Sequence, residues 1–336
     1  MSLNRSADAV ASWRPDHDVA NLDTGKSRPG EPVSPAVHTI ELRKEFRGTV
    51  ALRGLSMTVG RGEVFGFLGP NGAGKTTAVK LLLGLIRPSS GEAMVLGAPA
   101  GDRETRRRIG YLPELFRYQS WLSAREVLAL HCQLLQLPRA QFGGSIEVTL
   151  ETVGLSERGN DKVGTFSKGM QQRLGLGVAL LSHPELVVLD EPTSALDPLG
   201  RHDVREVIRN LRSRGTTVFL NTHLLEEAEQ VCDRVCVIDH GRSVAMGTLA
   251  ELVGRASSVR LKISGLGDGW WRDFARFGNW RPEGEWLTVD QVGPRLIPEL
   301  VDAIVGIGGR VEAVIPDHKS LEERFIELLR SPWAQL

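Results

Sequence analysis

Gly69-Pro70-Asn71-Gly72-Ala73-Gly74-Lys75-Thr76-Thr77 decides the reading of this 336-residue chain. The nine residues satisfy G-x-x-x-x-G-K-[ST], the phosphate-binding loop of nucleotide hydrolases. Upstream, Glu63-Val64-Phe65-Gly66-Phe67-Leu68 reads as a short buried strand, and downstream Ala78-Val79-Lys80-Leu81-Leu82-Leu83 continues as an apolar helix. A strand feeding a glycine-rich turn and then a helix aims backbone N–H groups and a positive dipole end at one spot. Gly72 and Gly74 let the backbone curl around phosphate oxygens where a Cβ would clash. Lys75 brings a point charge to the β- and γ-phosphates, and the Thr76 hydroxyl can complete a Mg²⁺ shell.

Further along, the apolar run Leu186-Val187-Val188-Leu189 ends in Asp190-Glu191-Pro192-Thr193. A buried strand ending in two carboxylates sets them at the C-terminal edge of a sheet, where ligands bind in open α/β folds. Asp190 is expected to hold Mg²⁺, directly or through water, and Glu191 to polarise the attacking water. Upstream of that strand lies Phe166-Ser167-Lys168-Gly169-Met170-Gln171-Gln172-Arg173, followed by the helical run Leu174–Leu181. Here the chain resembles the ATP-binding-cassette (ABC) ATPases, whose signature is usually Leu-Ser-Gly-Gly-Gln. Three of the five signature positions depart, but the Ser and the second Gly remain. A Ser167 hydroxyl and bare N–H groups near Gly169 at a helix N-terminus can bind a γ-phosphate. The resemblance implies that this segment serves the nucleotide of an opposite subunit.

Further matches follow in chain order. Ser194-Ala195-Leu196-Asp197 resembles the D-loop, which the family places across the dimer seam. His223, after the strand Thr217–Leu220, resembles the switch histidine that contacts the γ-phosphate. Phe46 sits where the family stacks an aromatic ring on adenine; a core Phe at a strand end is the plainer alternative. Ile109-Gly110-Tyr111-Leu112-Pro113-Glu114 aligns with the Q-loop, with Glu114 where the family usually has Gln. A carboxylate there can ligate Mg²⁺ or position a water, and it adds a negative charge to the site. The following Phe116, Tyr118 and Trp121 form either an exposed aromatic cup or ordinary core.

The implied fold is α/β: a P-loop ABC ATPase core, with a parallel sheet, an antiparallel β subdomain and a helical lobe, plus a small α+β C-terminal domain. Residues 1–35 are polar, rich in Ser, Asp, Pro and Gly, without period, and read as disordered. Residues 36–255 are expected to form the nucleotide-binding domain. Within it, residues 115–180 read as mostly helical, with Ser123 and Glu126 forming a capping box. Residues 256–336 are expected to form a ferredoxin-like regulatory or dimerisation domain, with a β-α-β-β-α-β pattern if Asn279–Arg281 adds a weak strand. Trp270, Trp271, Trp280 and Trp286 read as its core rather than a ligand cage. Leu321–Leu329 closes it as an amphipathic helix. This extension, with Phe-Ser-Lys-Gly-Met, is similar to the type-two exporter branch.

Composition sets the remaining bounds. Lys plus Arg and Asp plus Glu both number 41, a balance that argues against a general nucleic-acid binder. Cys132, Cys232 and Cys236 make no disulfide framework and suit a reducing compartment; packing suits Cys232 and Cys236 better than metal binding. No run approaches the ~18 apolar residues of a membrane helix. The N-terminus lacks a signal-peptide core, and its aspartates do not fit a transit peptide. The expectation is therefore a cytoplasmic ATP hydrolase, peripheral on the cytoplasmic face of the inner or plasma membrane. It would bind ATP and Mg²⁺, pair with a second ATPase subunit as a homodimer, and drive separate integral-membrane permease subunits. A soluble ABC ATPase acting on the ribosome or nucleic acid is the alternative class, for which the chain lacks a second cassette and long basic arms.

Overall fold

The chain enters an antiparallel layer through β1 (Val37–Phe46) and β2 (Thr49–Val59). It then dives into β3 (Val64–Leu68), where every residue is buried. The computed structural model describes residues 34–194, 196–253, 258–267, 269–290, 292, 296–317 and 321–330. The disorder expected for residues 1–35 falls almost wholly outside them, as do Ala195 of the D-loop segment and Ser320 before the last helix. Residues Pro35–Leu336 form one compact unit.

β4 (Ser90–Val95) and β5 (Ala98–Pro99) complete the antiparallel sheet, in the order β2-β1-β4-β5. The second sheet adds β6 (Ile109–Leu112), β7 (Leu186–Asp190), β8 (Thr217–Thr222), β9 (Arg234–Asp239) and β10 (Arg242–Thr248). It has six strands in the order β10-β9-β3-β8-β7-β6, parallel except at the β9–β10 edge. β3, β7 and β8 are buried along their whole length, as continuous apolar strands of a parallel sheet covered on both faces must be.

Strand alternation divides the core. Val64, Leu68, Val187, Leu189, Val218 and Leu220 face a cluster built with the helical lobe. Phe65, Phe67, Val188 and Phe219 face a second cluster, shared with the antiparallel sheet and the helix Lys75–Leu82. Parallel register sets Phe65 beside Phe219, and the ring centroids stand 5.9 Å apart. The lobe holds the helices Ala124–Leu134, Phe142–Thr152 and Lys168–Leu180. Ser123 opens the first with a full capping box: its N–H donates to Glu126 Oε2 at 2.6 Å and its Oγ accepts from the Glu126 N–H at 3.1 Å. The α/β core, antiparallel subdomain and helical lobe are thus those anticipated from the sequence.

The C-terminal residues make a small α+β layer of their own. β11 (Ser258–Ser264), β12 (Asn279–Glu283), β13 (Trp286–Asp290) and β14 (Arg310–Asp317) form an antiparallel sheet in the order β12-β13-β11-β14. A kinked 3₁₀ segment, Trp270–Phe277, and the helix Ile297–Gly306 intervene. The four tryptophans part company, and Trp271 stays outside the core, edge-on to Trp270 with ring centroids 6.3 Å apart. Trp270 and Trp280 pack on the core, ring centroids 5.4 Å apart, and the Trp280 indole N–H donates to the Phe274 carbonyl at 2.9 Å. Trp286 lies on the opposite face, because Leu287 beside it points inward, and carries the Arg260 guanidinium 5.0 Å from its ring centroid.

The helix Leu321–Arg330 does not close the small layer, contrary to the sequence reading. Leu321 and Phe325 join the first core cluster. The Leu321 N–H donates to Glu229, and Arg324 Nε donates to the Leu252 carbonyl at 3.1 Å. An amphipathic stripe reports that a face is buried without naming its partner.

Candidate active site

The phosphate-binding loop takes its shape from three backbone demands. Gly72 and Gly74 have φ of +82° and +105°, in the left-handed region where a Cβ is strained. At Gly74 space is also short: a Cβ would stand 2.5 Å from the Ala51 carbonyl oxygen. The loop is then pinned from outside, since the Gly241 N–H donates to the Ala73 carbonyl at 2.9 Å. Gly74 caps the helix Lys75–Leu82 without a side-chain acceptor, and the Ala78 N–H to Gly74 carbonyl bond lies one turn in. The amides of the first turn thus have no helical acceptor and point where an anion can sit.

A cavity of about 310 Å³ opens on this turn. Its lining includes Asn71, Gly72, Gly74, Lys75, Thr76 and Thr77 from the loop, and Glu114, Asp190, Glu191, Asn221 and His223 from the strand ends. Gly69, Pro70 and Ala73 support the lining from behind: Lys75 Nζ donates to the Gly69 carbonyl at 2.7 Å and to that of Pro70 at 3.2 Å. Burial draws the Lys75 pKa below its ordinary value, opposed by the charges of Glu191, Asp190 and Glu114.

The acids are held differently. Asp190 is 2% exposed, and burial pushes its carboxyl above the usual range, with Glu114 and Glu191 adding to the rise. The Asn221 amide counters this, donating Nδ2 to Asp190 Oδ1 at 2.5 Å. Glu191 has φ +53°, a strained value for a non-glycine residue, and its N–H donates to the Asn221 carbonyl at 2.9 Å. Its Oε1 lies 2.8 Å from His223 Nδ1 and its Oε2 lies 3.5 Å from Thr222 Oγ1. Strain at this residue aims a buried carboxylate along the cavity wall and ties it to a half-exposed imidazole.

Comparison with known proteins gives the family. Residues 52–194 match the family model described as ABC transporter. An ABC transporter ATP-binding protein of Nostoc sp. is 40% identical over 306 residues, 88% of this chain and 90% of that protein. The chain belongs to the ABC transporter ATP-binding proteins. The Nod factor export ATP-binding protein I of Sinorhizobium fredii is 39% identical, over 75% of this chain and 74% of its own length. A solved ATP-binding subunit of an ABC transporter superposes with a TM-score of 0.60 at 31% identity, over 65% of this chain and 91% of that one. The fold is accordingly that of an ABC ATPase, and ATP is its nucleotide.

Other expected residues of the ABC ATPase lie outside the cavity lining. Ser167 is exposed and caps the helix Lys168–Leu180, its Oγ accepting from the Met170 N–H at 3.2 Å. Gly169 follows in the first turn of that helix. Asp197, also exposed, caps Pro198–Ser213, accepting from the Gly200 N–H at 2.8 Å. Phe46 ends β1, is 45% exposed, and carries Lys44 Nζ 4.8 Å from its ring centroid. That exposure removes the plain core alternative for Phe46. The aromatic segment after Glu114 splits: Phe116 and Tyr118 pack on the main core, with centroids 5.3 Å apart, while Trp121 is 70% exposed. The sequence reading gives no role to Asn221, which it places only in the strand-end segment Asn221-Thr222-His223, nor to Gly241. His240-Gly241-Arg242 reads as a turn, but nothing local ties that turn to the phosphate loop.

Proposed function

We propose that this chain is the ATP-hydrolysing subunit of an exporter, working as two copies that close around two Mg-ATP and drive a separate membrane permease. The observation that carries the reading is the division of its site. Lys75, Thr76, Asp190, Glu191 and His223 surround one cavity, whereas Ser167 and Asp197 cap helices on open surface. Surface caps of this kind suit a nucleotide presented by another copy. Export is supported by the likeness to Nod factor export ATP-binding proteins. No helix among the described residues is long and apolar enough to cross a membrane, so the permease would be another chain, met at its cytoplasmic face.

The donors present fit Mg²⁺. The Thr76 hydroxyl, Asp190 and Glu114 offer only hard oxygen atoms at the cavity. Among the described residues, no three His, Cys, Asp or Glu side chains form a metal cage by themselves. That suits an ion held by a few side chains together with substrate phosphates. Bound there, the ion would spread the charge that develops on the β- and γ-phosphate oxygens.

The chain's own groups would do the rest. The first-turn amides and Lys75 cradle the phosphates and fix their direction. Glu191 accepts the proton of the attacking water, and His223 holds that carboxylate in place from one side. Phe46 offers its exposed ring to the adenine. Ser167, Gly169 and Asp197 complete the opposite copy's site. The test is purification from detergent-solubilised membranes. A polytopic membrane protein should co-purify in stoichiometric amount; a chain recovered only with ribosomes or nucleic acid contradicts the exporter reading and favours the alternative class.

A further inference from the structure

Asn221 is the third polar residue of the strand-end cluster, and it touches both acids. β7 and β8 are parallel neighbours in a register that pairs Asp190 with Asn221. The Asn221 side chain donates Nδ2 to Asp190 Oδ1 at 2.5 Å, and its main-chain carbonyl accepts the Glu191 N–H at 2.9 Å. The orientation of the amide follows from chemistry: an ionised carboxylate only accepts, so the NH₂ group must face it. The other end of the amide is then exposed as a problem. Asn221 is 1% exposed and lines the cavity, yet its Oδ1 has no hydrogen-bond donor among the described residues. A buried acceptor left without a donor is destabilising.

We propose that Asn221 is a positioning residue for the metal–nucleotide complex, orienting Asp190 through Nδ2 while its Oδ1 accepts a hydrogen bond from a water of the metal's hydration shell. This rests on the proposed Mg-ATP site. The donor at Nδ2 fixes which Asp190 oxygen faces the cavity, because Oδ1 is already engaged. The acceptor at Oδ1 matches a group that only donates in that direction, as a metal-bound water does. The main-chain bond to Glu191 ties the same residue to the strained turn that aims the second acid. Asn221 would therefore set the distance between the metal-holding oxygen and the proton acceptor.

The experiment measures binding of a non-hydrolysable ATP analogue by calorimetry, once with Mg²⁺ and once with EDTA. Asn221→Leu keeps the size of the side chain and removes both polar ends. The gain in affinity that Mg²⁺ gives the wild type should fall about tenfold or more, as for other residues that orient metal ligands, while affinity in EDTA stays within about twofold. Asn221→Thr, a strand former whose hydroxyl falls short of Asp190, should show the same selective loss and serves if the Leu variant does not fold. A variant that keeps the full Mg²⁺-dependent gain, or loses affinity equally with and without metal, overturns the assignment. A wild type that binds the analogue with no Mg²⁺ dependence contradicts the Mg-ATP reading itself, which separates the two failures.

Discussion

Asp190 and Glu191 are neighbours on one strand end, yet the fold asks different things of them. Asp190 is buried, and burial raises its pKa, so its ionised form is disfavoured in the folded state. A raised folded-state pKa means that stability is intact below the ordinary carboxylate range and is lost as pH rises through the folded value. Asp190→Asn should therefore raise the melting temperature of the nucleotide-free protein at pH 7. The gain should vanish at acid pH, where the wild-type carboxyl is protonated too; scanning calorimetry across pH reads both. Glu191, proposed as the proton acceptor, should behave otherwise. Glu191→Gln should lower ATP turnover by about 10²–10⁴ and leave ATP binding intact, measured as phosphate release and equilibrium binding. Unchanged turnover would remove Glu191 from the catalytic step. At Gly74, φ of +105° and the nearby Ala51 carbonyl leave no room for a methyl group. Gly74→Ala should abolish ATP binding in calorimetry while the far-ultraviolet circular dichroism keeps its helix and sheet signal.

Elements differ in how openly the sequence declares them. The strand–loop–helix around Gly69–Thr77 is plain because burial, glycine placement and helical period all agree there. The Ser123–Glu126 capping box was equally plain, since its whole chemistry lies within four residues. Ser123→Ala should cost about 1 kcal/mol in urea unfolding, without changing ATP affinity. β10 carries no such signal because it is an edge strand: its residues are mostly exposed or half-buried, so no apolar alternation marks it. The helix Leu321–Arg330 was legible as a helix, but its site of packing was not. Its contacts with Glu229 and Leu252 span 92 and 72 residues, and no local pattern encodes them. The same holds for Asn221. A single Asn at a strand end carries no signal until β7 and β8 are paired and Asp190 lies beside it.

At the scale of the whole molecule, one copy of this chain presents a cavity lined by the phosphate loop, the strand-end acids and Ser194, and two polar helix starts that do not line it. Ser167 and Asp197 are exposed, and among the described residues their side chains cap the first turns of their own helices. A self-sufficient site would need these groups at the cavity. In the proposed assembly a second copy brings them there, and the closing of two copies on ATP is the motion a permease receives. The most direct measurement is sedimentation of the Glu191→Gln variant with saturating Mg-ATP, beside the same variant carrying Ser167→Arg. The single variant should sediment at twice the 36.8 kDa chain mass, and the double variant should return to one chain mass while still binding ATP. A Glu191→Gln protein that binds ATP fully and stays at one chain mass would contradict the account.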